Sequence, residues 1–218
     1  MVHTSLPNAP YEVEFRCRFA SDEEAYATIP FLRESLFRSV GWTDAYYGPE
    51  VFERGEVLRF SSTIVRSEVR FFLGWKGVDL GSFANLRQEL AEEVTTGIEQ
   101  SEILALFAGQ SGPYPREEIV PALEGTGHNY FMSYAGESAL GHYEPLAVNL
   151  KLMRCEAIRW PLLVEFEKLA QTEDEAHRFE SDLLDICHTY DLSDRLVDEE
   201  PGTLLYEQVF GKSPRFLG

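Results

Sequence analysis

Two strand-like stretches of this chain each carry two glutamates two residues apart. The first pair lies in Tyr-Glu-Val-Glu-Phe-Arg-Cys-Arg-Phe, residues 11–19. Alternate residues of an extended strand point to opposite faces. Glu12, Glu14, Arg16 and Arg18 therefore share one face, and Val13, Phe15, Cys17 and Phe19 the other. The second pair, Glu165 and Glu167, alternates with apolar residues in Leu163-Val164-Glu165-Phe166-Glu167-Lys168. Four carboxylates brought to one cavity would suit magnesium or manganese, hard cations that choose oxygen ligands. The same pattern also fits two surface strands with their polar faces in water, because a motif this short recurs by chance.

Basic residues sharpen the reading. Arg16, Arg18, Arg59, Arg70, Lys76 and Arg154 all fall in strand-like segments, on faces shared with polar or small residues. A buried charge without a partner is costly, so each needs an acid, a ligand or water. If the strands close into a barrel, these faces point into a lumen. A lumen holding both arginines and carboxylates suits a phosphate chain and its metal ion, since guanidinium forks match phosphate oxygens. Salt bridges across the sheet to Glu12, Glu14, Glu165 and Glu167 are the other way to satisfy the same bases.

Composition narrows the field. With 218 residues and a formal net charge of −18, the chain suits one α+β domain over 1–218 and lacks the basic footprint of a DNA-binding protein. Cys17, Cys155 and Cys187 form no metal-binding spacing and read as free thiols of a reducing cytosol. No signal peptide or membrane-length apolar run is visible, so the expectation is a cytoplasmic protein without a membrane partner. Gly109-Gln110-Ser111-Gly112 is no Walker loop, since no GKS or GKT follows it.

Elements must position these side chains. A capping box at Ser21 to Glu24 starts a helix burying Tyr26, Ile29, Leu32, Leu36 and Phe37; Pro30 should split it and Gly41 end it. Gly55 to Lys76 reads as a pair of strands that turn at Val65 to Ser67. Phe83, Leu86, Leu90 and Val94 make Ser82 to Ile98 a helix, and Ser101 to Ala108 a second. Residues 109–127 read as loop. His128 to Tyr134 and His142 to Arg159 read as strands joined by a turn at Gly136 and Gly141. Thr172 caps a helix. Asp191 to Gly202 is an acidic connector whose acids read as solvated surface. Thr203 to Phe210 fits strand or helix.

Taken in order, these segments resemble the CYTH superfamily of triphosphate tunnel metalloenzymes, which includes class IV adenylyl cyclases and thiamine triphosphatases. Glu12-x-Glu14-x-Arg16 resembles its N-terminal ExExK signature. Leu58-Arg59-Phe60 is similar to its LRxR strand, Gly74-Trp75-Lys76-Gly77 to a later strand end, and Leu163 to Lys168 to its FxEIE strand. Leu204-Leu205-Tyr206 is similar to its closing segment. The resemblance implies an antiparallel eight-stranded tunnel-like barrel with flanking helices. It implies metal-side roles for Glu12, Glu14, Glu165 and Glu167, with Mg2+ or Mn2+ as cofactor. It implies phosphate contacts for Arg16, Arg59 and Lys76, which would stabilise charge during reaction, and a tunnel role for Arg154.

The chain departs from the family pattern. Arg16 replaces the signature lysine, Ser61 replaces the second base of LRxR, and Tyr130 to Tyr134 carries no cation where the family has K-x-R. Trp160-Pro161 stands where glycines are usual. The expectation is a phosphohydrolase acting on a triphosphate-bearing small molecule: inorganic tripolyphosphate, a nucleoside triphosphate or thiamine triphosphate. A class IV-type adenylyl cyclase and a non-catalytic anion-binding module stay open as alternatives, as does a homodimer.

Overall fold

The computed structural model describes residues 6–211. Eight antiparallel strands close into a barrel: β1 (Tyr11–Phe19), β2 (Arg38–Tyr47), β3 (Val57–Val65), β4 (Glu68–Lys76), β5 (Asn85–Glu93), β6 (Tyr130–Tyr143), β7 (Val148–Arg154) and β8 (Leu162–Ala170). Their order around the barrel is β1-β5-β4-β3-β2-β6-β7-β8. Closure comes from β1, which pairs with β5 on one side and along its whole length with β8 on the other, from Tyr11↔Ala170 to Phe19↔Leu162.

Period two decides which side of β1 is wet. Val13, Phe15, Cys17 and Phe19 face outward into a core completed by α5 (Glu173–Thr189), through Ala176, Leu183, Ile186 and Cys187. Phe15 stacks on Phe166 of β8 with centroids 4.6 Å apart. Burying one such ring contributes about 2–3 kcal/mol. That outer anchorage leaves Glu12, Glu14 and Arg16 to face inward. Cys17, Cys155 and Cys187 are free thiols, all buried.

The other helices cover the barrel from outside or close one end. α1 (Asp22–Thr28), capped by Ser21, packs on the β1 side with the 3₁₀ turn Pro30–Arg33. α3 (Glu102–Phe107) and α4 (Arg116–Gly125) cover β3 and β4, with Ile103, Leu104, Ile119 and Leu123 against Leu58, Leu73 and Trp75. α2 (Pro49–Glu53) and α6 (Pro201–Phe210) meet at the mouth where β1 ends, through Phe52, Leu204, Leu205 and Tyr206. No helix among the described residues is long and apolar enough to cross a membrane.

Several local expectations need correction. Residues 82–98 hold β5, not a helix. Leu86, Leu90 and Val94 lie four apart, and four is also an even number, so they share a strand face as readily as a helix face. Gly41 lies within β2 rather than ending a helix; Leu36 is 93% exposed, and Phe37 is only partly buried. β6 runs unbroken through Gly136 and Gly141, and the turn lies beyond it at Glu144–Leu146. Residues 109–127 contain α4, whose Ile119 and Leu123 are one helical turn apart. Residues 203–210 are helical.

Candidate functional site

β1 and β8 bring the two glutamate pairs together. Glu14 lies opposite Glu167 in the ladder and Arg16 opposite Glu165. Inside the barrel is a cavity of about 230 Å³ lined by, among others, Glu12, Glu14, Arg16, Arg59, Lys76, Glu165 and Glu167. All four predicted carboxylates and all three predicted reaction-stabilising bases therefore face one space.

These groups are knitted together. Arg16, only 1% exposed, donates to Glu14 and, at 2.6 Å, to Asn85 Oδ1; its Nε lies 3.5 Å from Glu165. Lys76 donates to Glu12 and lies 3.6 Å from Glu14 and 3.4 Å from Glu89. Arg59 spans Glu89 at 3.0 Å and Asp44 at 3.4 Å. Its path depends on Gly74, directly across the ladder: a Cβ there would stand 3.2 Å from both Cγ and Nε of Arg59. The cross-sheet ion pairs that the sequence allowed thus form, and they form inside the lumen.

The charges do not balance evenly. Glu12, Glu14, Asp44, Glu89, Glu165, Glu167 and Glu200 meet Arg16, Arg59, Lys76, Arg87 and Lys151, leaving acids in excess. Burial raises the Glu14 carboxyl, but Arg16, Lys76 and Lys151 more than reverse this and hold it well below the usual range. Glu12 goes the other way: burial and the charges of Glu14 and Glu89 raise it well above that range. Burial and the same two neighbours push Glu167 up to about 7. One part of the site is therefore short of positive charge.

Three predicted substrate-binding residues lie elsewhere, and each has a reason. Arg154 shares its face of β7 with Val148, Leu150 and Leu152, which pack outward; it pairs with Asp22 of α1. Arg70 points the same way as Phe72 and Lys76 but lies beyond the cavity at the exposed rim, paired with Glu68 and Glu93. Arg18, at the other end of β1, donates to the carbonyls of Asp194 and Leu196 and sits 4.8 Å from the Trp160 ring centroid. It ties down the C-terminal segment.

The structure also brings in residues that the sequence reading missed. Lys151, rather than Arg154, is the β7 cation in the lumen, and it bonds Glu165 at 2.8 Å. The alternation of Val148, Leu150 and Leu152 carried that signal. Arg87 and Glu89 were hidden by the helical reading of their segment. Glu200 belonged to a stretch read as solvated, yet it is 7% exposed and lies 3.4 Å from Arg87 and 3.9 Å from Lys76. Pro201 at the first turn of α6 and the apolar run behind it dock that segment onto the barrel.

Hard divalent cations fit the donor chemistry of this site. Glu12 and Glu167 are oxygen donors that line the cavity, Glu12 already bonded to Lys76, and the lumen as a whole has acids to spare. No three acidic, histidine or cysteine side chains among the described residues are arranged to hold an ion by themselves. Magnesium needs no such cage, since one or two carboxylates commonly hold it and substrate phosphates complete its shell.

No protein-family model matches the chain, and neither does any curated protein sequence. Solved structures do match. The PH1819 protein of Pyrococcus horikoshii OT3 aligns with a TM-score of 0.68 at 17% identity, covering 90% of this chain and 99% of that one. A candidate adenylate cyclase from Vibrio parahaemolyticus aligns at 0.64 and 13% identity, covering 90% and 98%. HpAC1 from Hippeastrum, a candidate adenylyl cyclase described as having a dominant triphosphatase activity, aligns at 0.58 and 15% identity, covering 91% and 96%. At these identities the likeness establishes the fold.

Proposed function

From the premise of a CYTH tunnel fold, we propose that this chain is a metal-dependent hydrolase of phosphoanhydride bonds in a triphosphate-bearing small molecule. The observation that carries the reading is the convergence of Glu12, Glu14, Glu165 and Glu167 with Arg16, Arg59, Lys76 and Lys151 on one enclosed cavity. The triphosphatase activity ascribed to HpAC1 supports it.

Magnesium or manganese would be held by Glu12 and Glu167, and when bound it neutralises phosphate charge and acidifies a coordinated water. The protein's own residues supply the rest. Arg16 is fixed by Glu14, Glu165 and Asn85, so its guanidinium meets a phosphate with little reorganisation. Arg59 and Lys76 stand on neighbouring strands and place positive charge on the same guest. Lys151 adds a cation from the opposite side of β8. These bases stabilise the charge that builds on the leaving phosphate.

The test is a double variant, Glu165→Gln with Glu167→Gln, assayed for phosphate release from tripolyphosphate and nucleoside triphosphates with magnesium or manganese. The expected result is loss of most metal-dependent release. Equal activity in variant and wild type would overturn the proposal. A cyclase reading shares the site and is favoured by the likeness to the Vibrio protein. Cyclic AMP rather than ADP as the product from ATP would select it.

A further inference from the structure

Two buried guanidiniums of the barrel, Arg16 and Arg87, are anchored from outside the lumen. Each keeps an Nε–H that has no hydrogen-bond partner among the described residues. Their terminal nitrogens, by contrast, are tied to the protein: Arg16 to Glu14 and Asn85, and Arg87 to the carbonyl of Gly55 at 3.3 Å. A buried N–H costs free energy unless a phosphate oxygen or a water accepts from it. The setting of the anchored edge therefore decides what the bare edge can offer.

Both anchorages lead to Asp79, in the turn before β5. β1 and β5 pair only from Tyr11 to Glu14. Beyond that point the Arg16 carbonyl accepts the Val197 N–H of the C-terminal connector at 3.0 Å. Where β5 begins, a second cavity of about 240 Å³ lies on the flank of the barrel, lined by Glu14, Arg16, Asp79 and Asn85 among others. Asp79 and Asn85 do not line the lumen cavity. Asp79 Oδ1 accepts the N–H groups of Gly81 at 3.0 Å and Leu86 at 2.9 Å, which fixes the carboxylate against the backbone on both sides of Asn85. Its Oδ2 accepts from Asn85 Nδ2 at 2.5 Å and lies 3.8 Å from the Arg87 guanidinium. A carboxylate can only accept, so the amide must give it the NH2 group and turn its oxygen the other way. That oxygen, Asn85 Oδ1, takes Arg16 at 2.6 Å.

We infer that Asp79, outside the lumen and on no strand, is a positioning residue for the reaction: through Asn85 it sets the guanidinium plane of Arg16, and directly it steadies Arg87. The inference rests on the triphosphatase reading for the phosphate that these groups meet, but the anchorage itself can be read without turnover. A carboxylate that only closed its own turn would need no more than Oδ1.

Asp79→Asn separates the two roles. It keeps an oxygen for Gly81 and Leu86, but it sets an NH2 group against that of Asn85 and withdraws the charge facing Arg87. Phosphate release from tripolyphosphate with magnesium should fall about tenfold in kcat, with KM changed less than about threefold, because a tilted guanidinium misses the charge that builds in the transition state. In parallel, nitrogen–proton NMR correlation follows the Arg16 Nε–Hε resonance, assigned by its loss in Arg16→Lys. That resonance should be resolved in wild type and broadened or shifted in Asp79→Asn. Should Asp79→Asn fail to fold, Asn85→Ala breaks the same relay one link nearer Arg16. Wild-type kcat in the folded variant, a loss confined to KM, or an unmoved Arg16 resonance would overturn the inference. A moved resonance, in a protein that releases no phosphate even as wild type, would sink the triphosphatase reading and leave the anchorage standing. An active wild type matched by Asp79→Asn would do the reverse.

Discussion

Gly74 shows how one absent side chain sets a charge in place. Arg59 crosses β4 through the space a Cβ would occupy and so reaches Glu89 of β5, while Asp44 of β2 pairs with it from the other side. Gly74→Ala should cost only about 1 kcal/mol of stability, since the added methyl meets a side chain that can shift. It should cost more in catalysis: kcat/KM for phosphate release is expected to fall about tenfold or more as Arg59 moves. Steady-state kinetics beside a urea melt separates the two. Residue roles were legible wherever period two was clean and the strand was long. Glu12, Glu14, Arg16, Glu165 and Glu167 were placed inside by their alternation with apolar neighbours. Arg154 faces outward because β7 alternates from Val148 through Leu150 and Leu152, a parity that turns Lys151 inward. Arg70 and Arg18 have the right parity but lie too far along their strands. Alternation tells inside from outside, and says little about distance along the barrel axis.

β5 shows where periodicity cannot separate helix from strand. Apolar residues four apart satisfy both patterns, and Phe83, the one residue needing a helical period, lies just before the strand. What fixes the approach to β5 is a contact from far along the chain. Glu180 of α5 accepts the backbone N–H groups of Ser82 at 2.6 Å, Phe83 at 2.6 Å and Ala84 at 3.1 Å. This one carboxylate joins the long outer helix to the lead-in of the strand that carries Arg87 and Glu89. Burial pushes the Glu180 carboxyl up, but those donors outweigh it and hold its pKa below the usual value. A carboxyl whose pKa is lowered by folding stabilises the folded state above its unfolded pKa, about 4.3, and loses that contribution as pH falls through the folded value. Glu180→Ala should therefore lose about 1–3 kcal/mol at pH 7. The gap between wild type and variant should narrow as the solution is acidified below about pH 4, as read by urea unfolding across a pH series. A gap that stays constant down to pH 2 would show that the carboxylate's charge plays no part.

The net charge of −18 acts on the encounter with any anionic substrate. Its long-range field opposes a polyphosphate approaching the mouth, whereas the close contacts inside the lumen are screened less. Raising monovalent salt from about 20 to about 150 mM, with divalent cation in excess and fixed, should therefore raise kcat/KM for a triphosphate by a few-fold. A fall would mean that attraction by the lumen bases reaches beyond the mouth. The barrel was legible through the resemblance of the ordered segments to the CYTH superfamily, with which the polar inner faces of the strands agree. The direct pairing of β1 with β8 was not, since nothing local in β1 names its partner.

That meeting has a consequence for how the protein comes into being. β1 lies nearest the start of the chain, yet its longest pairing is with β8, whose last residue is Ala170. A nascent chain leaving the ribosome can build hairpins such as β3–β4 at once, but it must carry Glu12, Glu14 and Arg16 unburied until Glu165 and Glu167 have been synthesised. The ion pairs that Glu165 makes with Arg16 and Lys151 are thus among the last contacts to be made, and they act as the clasp that turns an open sheet into a vessel.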